Sequence, residues 1–254
     1  MSPDSLPQGQ IVALVDLDDT LFQTLSKCPE PGECLTVAAM DRQGQPLSFM
    51  RPSQRLLWEL LEKALVIPVT ARNREAYGRV NLRFQGGAIL SFGGVILNPD
   101  GQEDPGWRKI IEPQARAASD FLKAAQAKAQ TLIQRDGFLA RARIIEDQGL
   151  PFYVVIKTQP DNLHELALLA MDLRKFSRVA KVYLNGNNLA ILPQYLDKAP
   201  AASYFLANQV PPAGERLCLT IGDSRSDLGF LALGDFQVIP TRSQLSLLWR
   251  KKKP

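Results

Sequence analysis

The stretch Ile11-Val12-Ala13-Leu14-Val15-Asp16-Leu17-Asp18-Asp19-Thr20 decides how this chain is read. Its first five residues are an unbroken apolar run, the pattern of a strand covered on both faces in a parallel sheet. Asp16, Asp18 and Asp19 follow at once. Carboxylates at the end of a buried strand are costly unless a cation or a substrate uses them. Open α/β sheets place their ligands at this end of their strands. The purely structural alternative is an acidic turn that caps a following helix, where the dipole favours negative charge.

A second stretch repeats the arrangement. Leu217–Ile221 has the same buried-strand pattern and runs into Gly222-Asp223-Ser224-Arg225-Ser226-Asp227. A helix cap with a first-turn acid accounts for one such motif, but not for two that each end a buried strand. Asp16, Asp18 and Asp223 are therefore expected to converge on one hard cation. Oxygen ligands without clustered histidine or cysteine suit magnesium rather than zinc. A third strand, Leu65–Val69, ends at Thr70 in Val69-Thr70-Ala71-Arg72. The Thr70 hydroxyl and nearby amides suit phosphate oxygens, although a threonine here is by itself an ordinary cap. Pro68 weakens the strand reading, because proline cannot donate to a ladder. Lys198 opens a helix in Leu196-Asp197-Lys198-Ala199-Pro200. The dipole disfavours a cation there, so a compensating anion is expected nearby.

Outward from these motifs the pattern alternates. Ser53 offers an N-cap to a helix carrying Leu56, Leu57, Leu60, Leu61 and Ala64, with Glu59 and Lys63 spaced to pair. Short strands are expected at Ala88–Ser91 and Val95–Leu97. Pro113 is read as the opening of an alanine-rich helix closed by Gly137, with Leu122, Ala125, Ala129, Leu132 and Ile133 on one apolar stripe. Ala140–Ile145 and Phe152–Lys157 are strand-like, and Asp161 or Asn162 caps a helix to about Lys175. Lys181–Leu184 and Leu189–Leu192 flank Asn185-Gly186-Asn187-Asn188, a hairpin turn. Strands alternating with helices at both ends imply an α/β fold, a Rossmann-like parallel sheet core, with an inserted α+β cap domain. The expected division is 1–103 with 185–254 as core and 104–184 as cap.

Composition narrows the function classes. Of 254 residues, 45% are hydrophobic and 22% charged, as in an ordinary globular protein. Arg250, Lys251, Lys252 and Lys253 carry four positive charges, equal to the whole formal net charge of +4. The basicity is a tail rather than a nucleic-acid-binding face, and no nucleic acid is expected. Residues 1–10 are polar with two prolines and unlike a signal peptide, and no apolar run is long enough for a membrane. Cys28, Cys34 and Cys218 form neither a metal cluster nor a disulfide framework, so the expected setting is cytoplasmic. The single histidine, His164, falls in an expected surface helix and is read as solvated. Arg141, Arg143, Lys157 and Arg174 in the insertion are read first as solvated surface. Oligomeric state is not encoded in any of these features.

The ordered series DxDxT, strand-Thr, Lys and GDSxxD resembles the haloacid dehalogenase superfamily of phosphohydrolases. The insertion between the threonine and the lysine is similar to the type-two cap of sucrose-phosphate and trehalose-phosphate phosphatases and of eukaryotic-type phosphomannomutases. Asp19, Ser91-Phe92-Gly93-Gly94 and the Ala71 of Thr70-Ala71-Arg72 depart from that subgroup's usual residues. The resemblance implies that Asp16 is the nucleophile and Asp18 the general acid and base. It implies Mg2+ held by the Asp16 carboxylate, the Asp18 main-chain carbonyl and Asp223, with Asp227 supporting the metal shell. Thr70 and Lys198 bind phosphoryl oxygens. The implied reaction is hydrolysis of a small phosphorylated metabolite, a sugar phosphate by analogy, through an aspartyl-phosphate. Asp18 separates this reading from dehalogenation. A phosphomutase would use the same core, and a non-catalytic phosphate-binding module would be expected to lack Asp16 or Asp18.

Overall fold

The computed structural model describes residues 10–28, 34–159, 162–176 and 180–250. The Lys251–Lys253 tail, residues 1–9 and the candidate cap Asp161 lie outside the described residues. The chain divides into two compact units, Met1–Asp104 with Lys198–Pro254, and Pro105–Asp197.

The first unit begins with β1 (Gln10–Val15), β2 (Gln23–Thr24), β3 (Thr36–Met40), β4 (Pro46–Met50), α1 (Pro52–Leu60) and β5 (Leu65–Pro68). It continues with α2 (Arg74–Tyr77), β6 (Ala88–Leu90) and β7 (Val95–Leu97). The second unit holds α3 (Pro105–Ala117), α4 (Ser119–Asp136), β8 (Ala140–Asp147), β9 (Leu150–Thr158), α5 (Leu163–Phe176), β10 (Ala180–Asn185) and β11 (Asn188–Pro193). The chain then returns with α6 (Lys198–Asn208), β12 (Arg216–Ile221), α7 (Leu228–Leu231), β13 (Phe236–Val238) and α8 (Gln244–Arg250).

In the first unit the order β13-β12-β1-β5 is parallel throughout. Val12–Val15 are fully buried, as their unbroken apolar run requires. Register does the positioning. Val15 lies opposite both Ile221 and Pro68, so β1, β12 and β5 end at one level. Pro68 is tolerated because the Val69 N–H donates to Val15 O and the Thr70 N–H to Ile89 O. Alternation then turns the Pro68 nitrogen away from β1, and no β1–β5 hydrogen bond is forfeited. Asp16, Thr70 and Asp223 thus leave the sheet side by side.

Several expectations need correction here. The helix placed after Ser53 starts at Pro52 with Arg51 as its cap residue. Leu56 and Leu60 are 60% and 77% exposed, while Leu61 is buried, so the inward stripe is narrower than the leucine spacing suggested. Glu59 pairs with Arg55 rather than Lys63 (3.5 Å). Residues 23–24, 36–40 and 46–50, left without elements above, form the sheet β2-β4-β3. Its hairpin is organised by Asp41, whose Oδ1 accepts the N–H groups of Gln43 and Gln45, each at 2.8 Å.

In the second unit the antiparallel sheet runs β10-β11-β9-β8. The stripe Leu122, Ala125, Ala129, Leu132 and Ile133 packs with Val154, Ile156, Leu166, Leu169, Leu173, Leu189 and Ile191. Gly137 closes α4 in the left-handed conformation (φ 67°). Pro113 does not open this helix; it lies inside α3, which starts at Pro105. Proline suits that first position because its missing N–H would have no partner there. The expected boundary at 185 also moves. The turn at Gly186 joins β10 to β11, and β11 pairs with β9, so 185–197 belong to the second unit. A hairpin cannot be divided between sheets without losing its ladder, so the return falls at Lys198.

Candidate active site

Asp16 is the first residue after β1, and its N–H donates to Ile221 O (2.8 Å). Gly222 follows β12 because nothing larger fits: a Cβ there would stand 2.8 Å from Asp227 Cβ. The Asp223 loop is locked by Asp227. Oδ2 of Asp227 accepts the N–H of Asp223 (3.1 Å), the N–H of Ser224 (2.8 Å) and the Ser224 hydroxyl (2.8 Å). Asp16, Asp223 and Asp227 each present a carboxylate oxygen within 4.8 Å of the others. All three are buried.

Lys198, the first residue of α6, is also buried and supplies the opposing charge. Its Nζ donates to Asp16 Oδ1 (2.6 Å) and Asp227 Oδ1 (2.7 Å). These are the anions its helix-opening position called for. Thr20 Oγ1 donates to Asp16 Oδ2 (3.2 Å) and stands 3.5 Å from Asp223 Oδ1. Thr70 is buried beside this strand end, and its hydroxyl accepts the Arg72 N–H (3.2 Å).

One ammonium among three carboxylates leaves the cluster electrostatically unfinished. Burial raises the Asp16 pKa to about 7; Lys198 opposes the rise, while Asp227 and Asp18 add to it. Asp223 is raised to about 9 by burial, with Asp16 and Asp227 adding repulsion. Burial by itself would lower Lys198, but Asp16 and Asp227 outweigh it and raise its pKa. Closely spaced oxygen donors, buried and short of positive charge, fit a hard divalent cation. Asp18 stands apart from the cluster. Its carboxylate accepts Arg72 Nε (2.8 Å) and Nη2 (2.7 Å).

Two features were not found by sequence reasoning. Arg72 was named there only within Thr70-Ala71-Arg72 and linked to no other residue, yet it holds Asp18. Ser91 begins a run of three left-handed residues, Ser91 (φ 52°), Phe92 (φ 57°) and Gly93 (φ 92°), and its buried Oγ has no hydrogen-bond partner. No sequence pattern announces three left-handed residues when two of them carry side chains. In the insertion, His164, Arg141, Arg143, Lys157 and Arg174 are exposed. Among the described residues no helix is long and apolar enough to cross a membrane.

No protein-family model and no curated protein matches this sequence. Solved structures do match. Sucrose-phosphatase from Synechocystis, solved with sucrose and phosphate, covers 96% of this chain and 88% of its own at 20% identity, with a TM-score of 0.53. The C-terminal domain of Candida albicans trehalose-6-phosphate phosphatase covers 86% of this chain and 72% of its own at 14% identity, also with a TM-score of 0.53. A subclass IIB sugar phosphatase of the haloacid dehalogenase superfamily covers 95% and 99% at 10% identity, with a TM-score of 0.50. This chain therefore has the haloacid dehalogenase fold, a parallel α/β core with an inserted α+β unit.

Proposed function

We propose that this protein is a magnesium-dependent phosphohydrolase that acts on a small phosphorylated metabolite, a sugar phosphate, through an aspartyl-phosphate on Asp16. The observation that supports this most is the buried cluster of Asp16, Asp223 and Asp227 with a single lysine set between two of them. Such a cluster suits a cation and a dianion far better than it suits folding alone.

In this reading Asp16, Asp223 and the Asp18 main-chain carbonyl hold magnesium, which supplies positive charge beside the phosphoryl oxygens. Asp227 keeps the Asp223 loop in shape and anchors Lys198. An Asp16 carboxylate oxygen attacks phosphorus as the bond to the leaving oxygen breaks. Asp18 donates a proton to that leaving alkoxide, so an alcohol departs. Asp18 then takes a proton from water, which attacks the phosphorus of the aspartyl-phosphate and frees inorganic phosphate and Asp16. Lys198 and Thr70 bind phosphoryl oxygens, and Lys198 exchanges part of its bond with Asp16 for the incoming dianion. Positioning and electrostatics carry a reaction of this kind.

The sugar-phosphate assignment takes support from the printed activities of the sucrose-phosphate and trehalose-phosphate relatives, transferred here as a proposal. Residues 105–197 are the proposed substrate-selecting cap. The test is phosphate release from a panel of phosphorylated metabolites, with magnesium and after exhaustive chelation. Release that needs magnesium and favours sugar phosphates is expected. Undiminished release in the chelated, metal-free protein contradicts the proposal. Transfer of the phosphoryl group to another position of the sugar without free phosphate marks a mutase instead.

A further inference from the structure

We propose that Arg72 is the positioning residue of the acid–base step, acting on the leaving group through Asp18. This rests on the functional reading above. Asp18 is the most exposed of the proposed catalytic carboxylates, with 46% of its side chain accessible, and it is not part of the Asp16, Asp223 and Asp227 cluster. Arg72 holds it. Its Nε and Nη2 grip both Asp18 oxygens at 2.8 and 2.7 Å, a two-pronged arrangement that sets the plane of the carboxylate as well as its place.

Arg72 is itself held from several directions. Its side chain is 12% exposed. Nη1 donates to Ala76 O (3.3 Å), and the guanidinium lies 5.1 Å from the centre of the Phe22 ring. Its N–H donates to Thr70 Oγ1, and its carbonyl accepts the Ser91 N–H (2.9 Å). Such a residue cannot swing freely to search for phosphate. The same segment that carries Thr70 therefore also aims Asp18, so the phosphate-binding and proton-transfer groups are set by one rigid turn. A general acid misplaced by about 1 Å loses most of its advantage.

The leaving group separates this role from a structural one. Expulsion of 4-nitrophenolate from 4-nitrophenyl phosphate needs little proton transfer, whereas the sugar alkoxide of glucose 6-phosphate needs it fully. Arg72→Ala should lower kcat/KM on glucose 6-phosphate, which reports formation of the aspartyl-phosphate alone, by about 10- to 100-fold, a partial loss of what general acid catalysis contributes. On 4-nitrophenyl phosphate kcat/KM should fall far less, while kcat falls on both substrates because the activation of water by Asp18 is common to them. Arg72→Lys keeps the charge but not the fork, and should recover little of the loss. Arg72→Gln takes the place of Arg72→Ala if the latter does not fold.

Asp18→Asn is the reference. It should show the same selective loss in kcat/KM, and the double variant Arg72→Ala/Asp18→Asn should be no lower in kcat/KM than Asp18→Asn alone. If Asp18→Asn shows the selective loss and Arg72→Ala does not, the inference about Arg72 fails while the acid–base reading stands. Equal loss of kcat/KM on both substrates in folded Arg72→Ala also overturns it and makes Arg72 a phosphate or folding residue. If Asp18→Asn lowers kcat/KM alike on both substrates, or wild type turns over neither, the underlying reading fails.

Discussion

Glu165 in the second unit and Asp223 in the first are both buried carboxylates, and their surroundings are opposite. Glu165 accepts the Leu139 N–H (3.0 Å), the Thr158 hydroxyl (3.4 Å) and the Asn162 amide (2.6 Å), all neutral donors. Asp223 meets the Thr20 hydroxyl at 3.5 Å and two further carboxylates. The first is a buried charge made comfortable by local hydrogen bonds, and it ties β9 and α5 together. The second lacks such compensation, and in the proposed reading a cation supplies it. The difference teaches that burial alone does not mark a functional acid; the shortage of compensation does.

Substitution at the two sites should separate these roles. Asp223→Asn should cut phosphate release by about 10²-fold or more, because it weakens the hold on the cation that offsets phosphate charge. The same change should raise the thermal midpoint of the metal-free protein, since it removes a repelled carboxylate. A fall in that midpoint would show that Asp223 serves the fold as Glu165 does. Glu165→Gln should do the reverse. It leaves a buried donor facing an amide nitrogen, costs about 1–3 kcal/mol of stability, and should not change phosphate release below the melting transition. Urea denaturation read by circular dichroism measures the stability loss.

A smaller effect follows from pH. Asp16 and Asp223 have raised pKa values in the folded protein, about 7 and about 9, against 3.8 as the ordinary value. The metal-free native state therefore binds more protons than the unfolded chain between these limits, and its stability falls as pH rises through that window. The carboxylates with lowered pKa, such as Glu75, Glu112 and Asp136, act oppositely and only in more acid solution. Lys198 is raised and loses its stabilising charge only above its ordinary value of 10.5. Metal-free protein should thus melt higher at pH 5 than at pH 8, with magnesium reversing the order. A metal-free midpoint that rises from pH 5 to pH 8 would contradict this account of the cluster.

Much of the first unit was legible because its signals are strong and local. The apolar runs before Asp16 and Gly222 suit buried strands, and the parallel register then brings their acids together. The Asn185–Asn188 turn and the α4 stripe were legible for the same reason. What escaped depended on tertiary context. Leu56 and Leu60 obey a helical period, yet face solvent. Strands β2, β3 and β4 form a small sheet whose turn signal at Asp41 and Gly44 was not read. Pro113 looks like a helix start when Pro105 is the actual one. The boundary at Lys198 rather than 185 follows from β11 pairing with β9, a contact that no local pattern carries. The Arg72–Asp18 pair joins residues 54 apart in sequence, and the sequence named both without linking them.

The most direct test of the central claim is phosphate release by Asp16→Asn in magnesium, measured beside its circular dichroism spectrum. The amide is nearly the same shape as the carboxylate but is a poor nucleophile and a neutral ligand. The variant should fold as wild type and release phosphate at least about 10³-fold more slowly. A folded Asp16→Asn protein that releases phosphate at the wild-type rate would contradict the account.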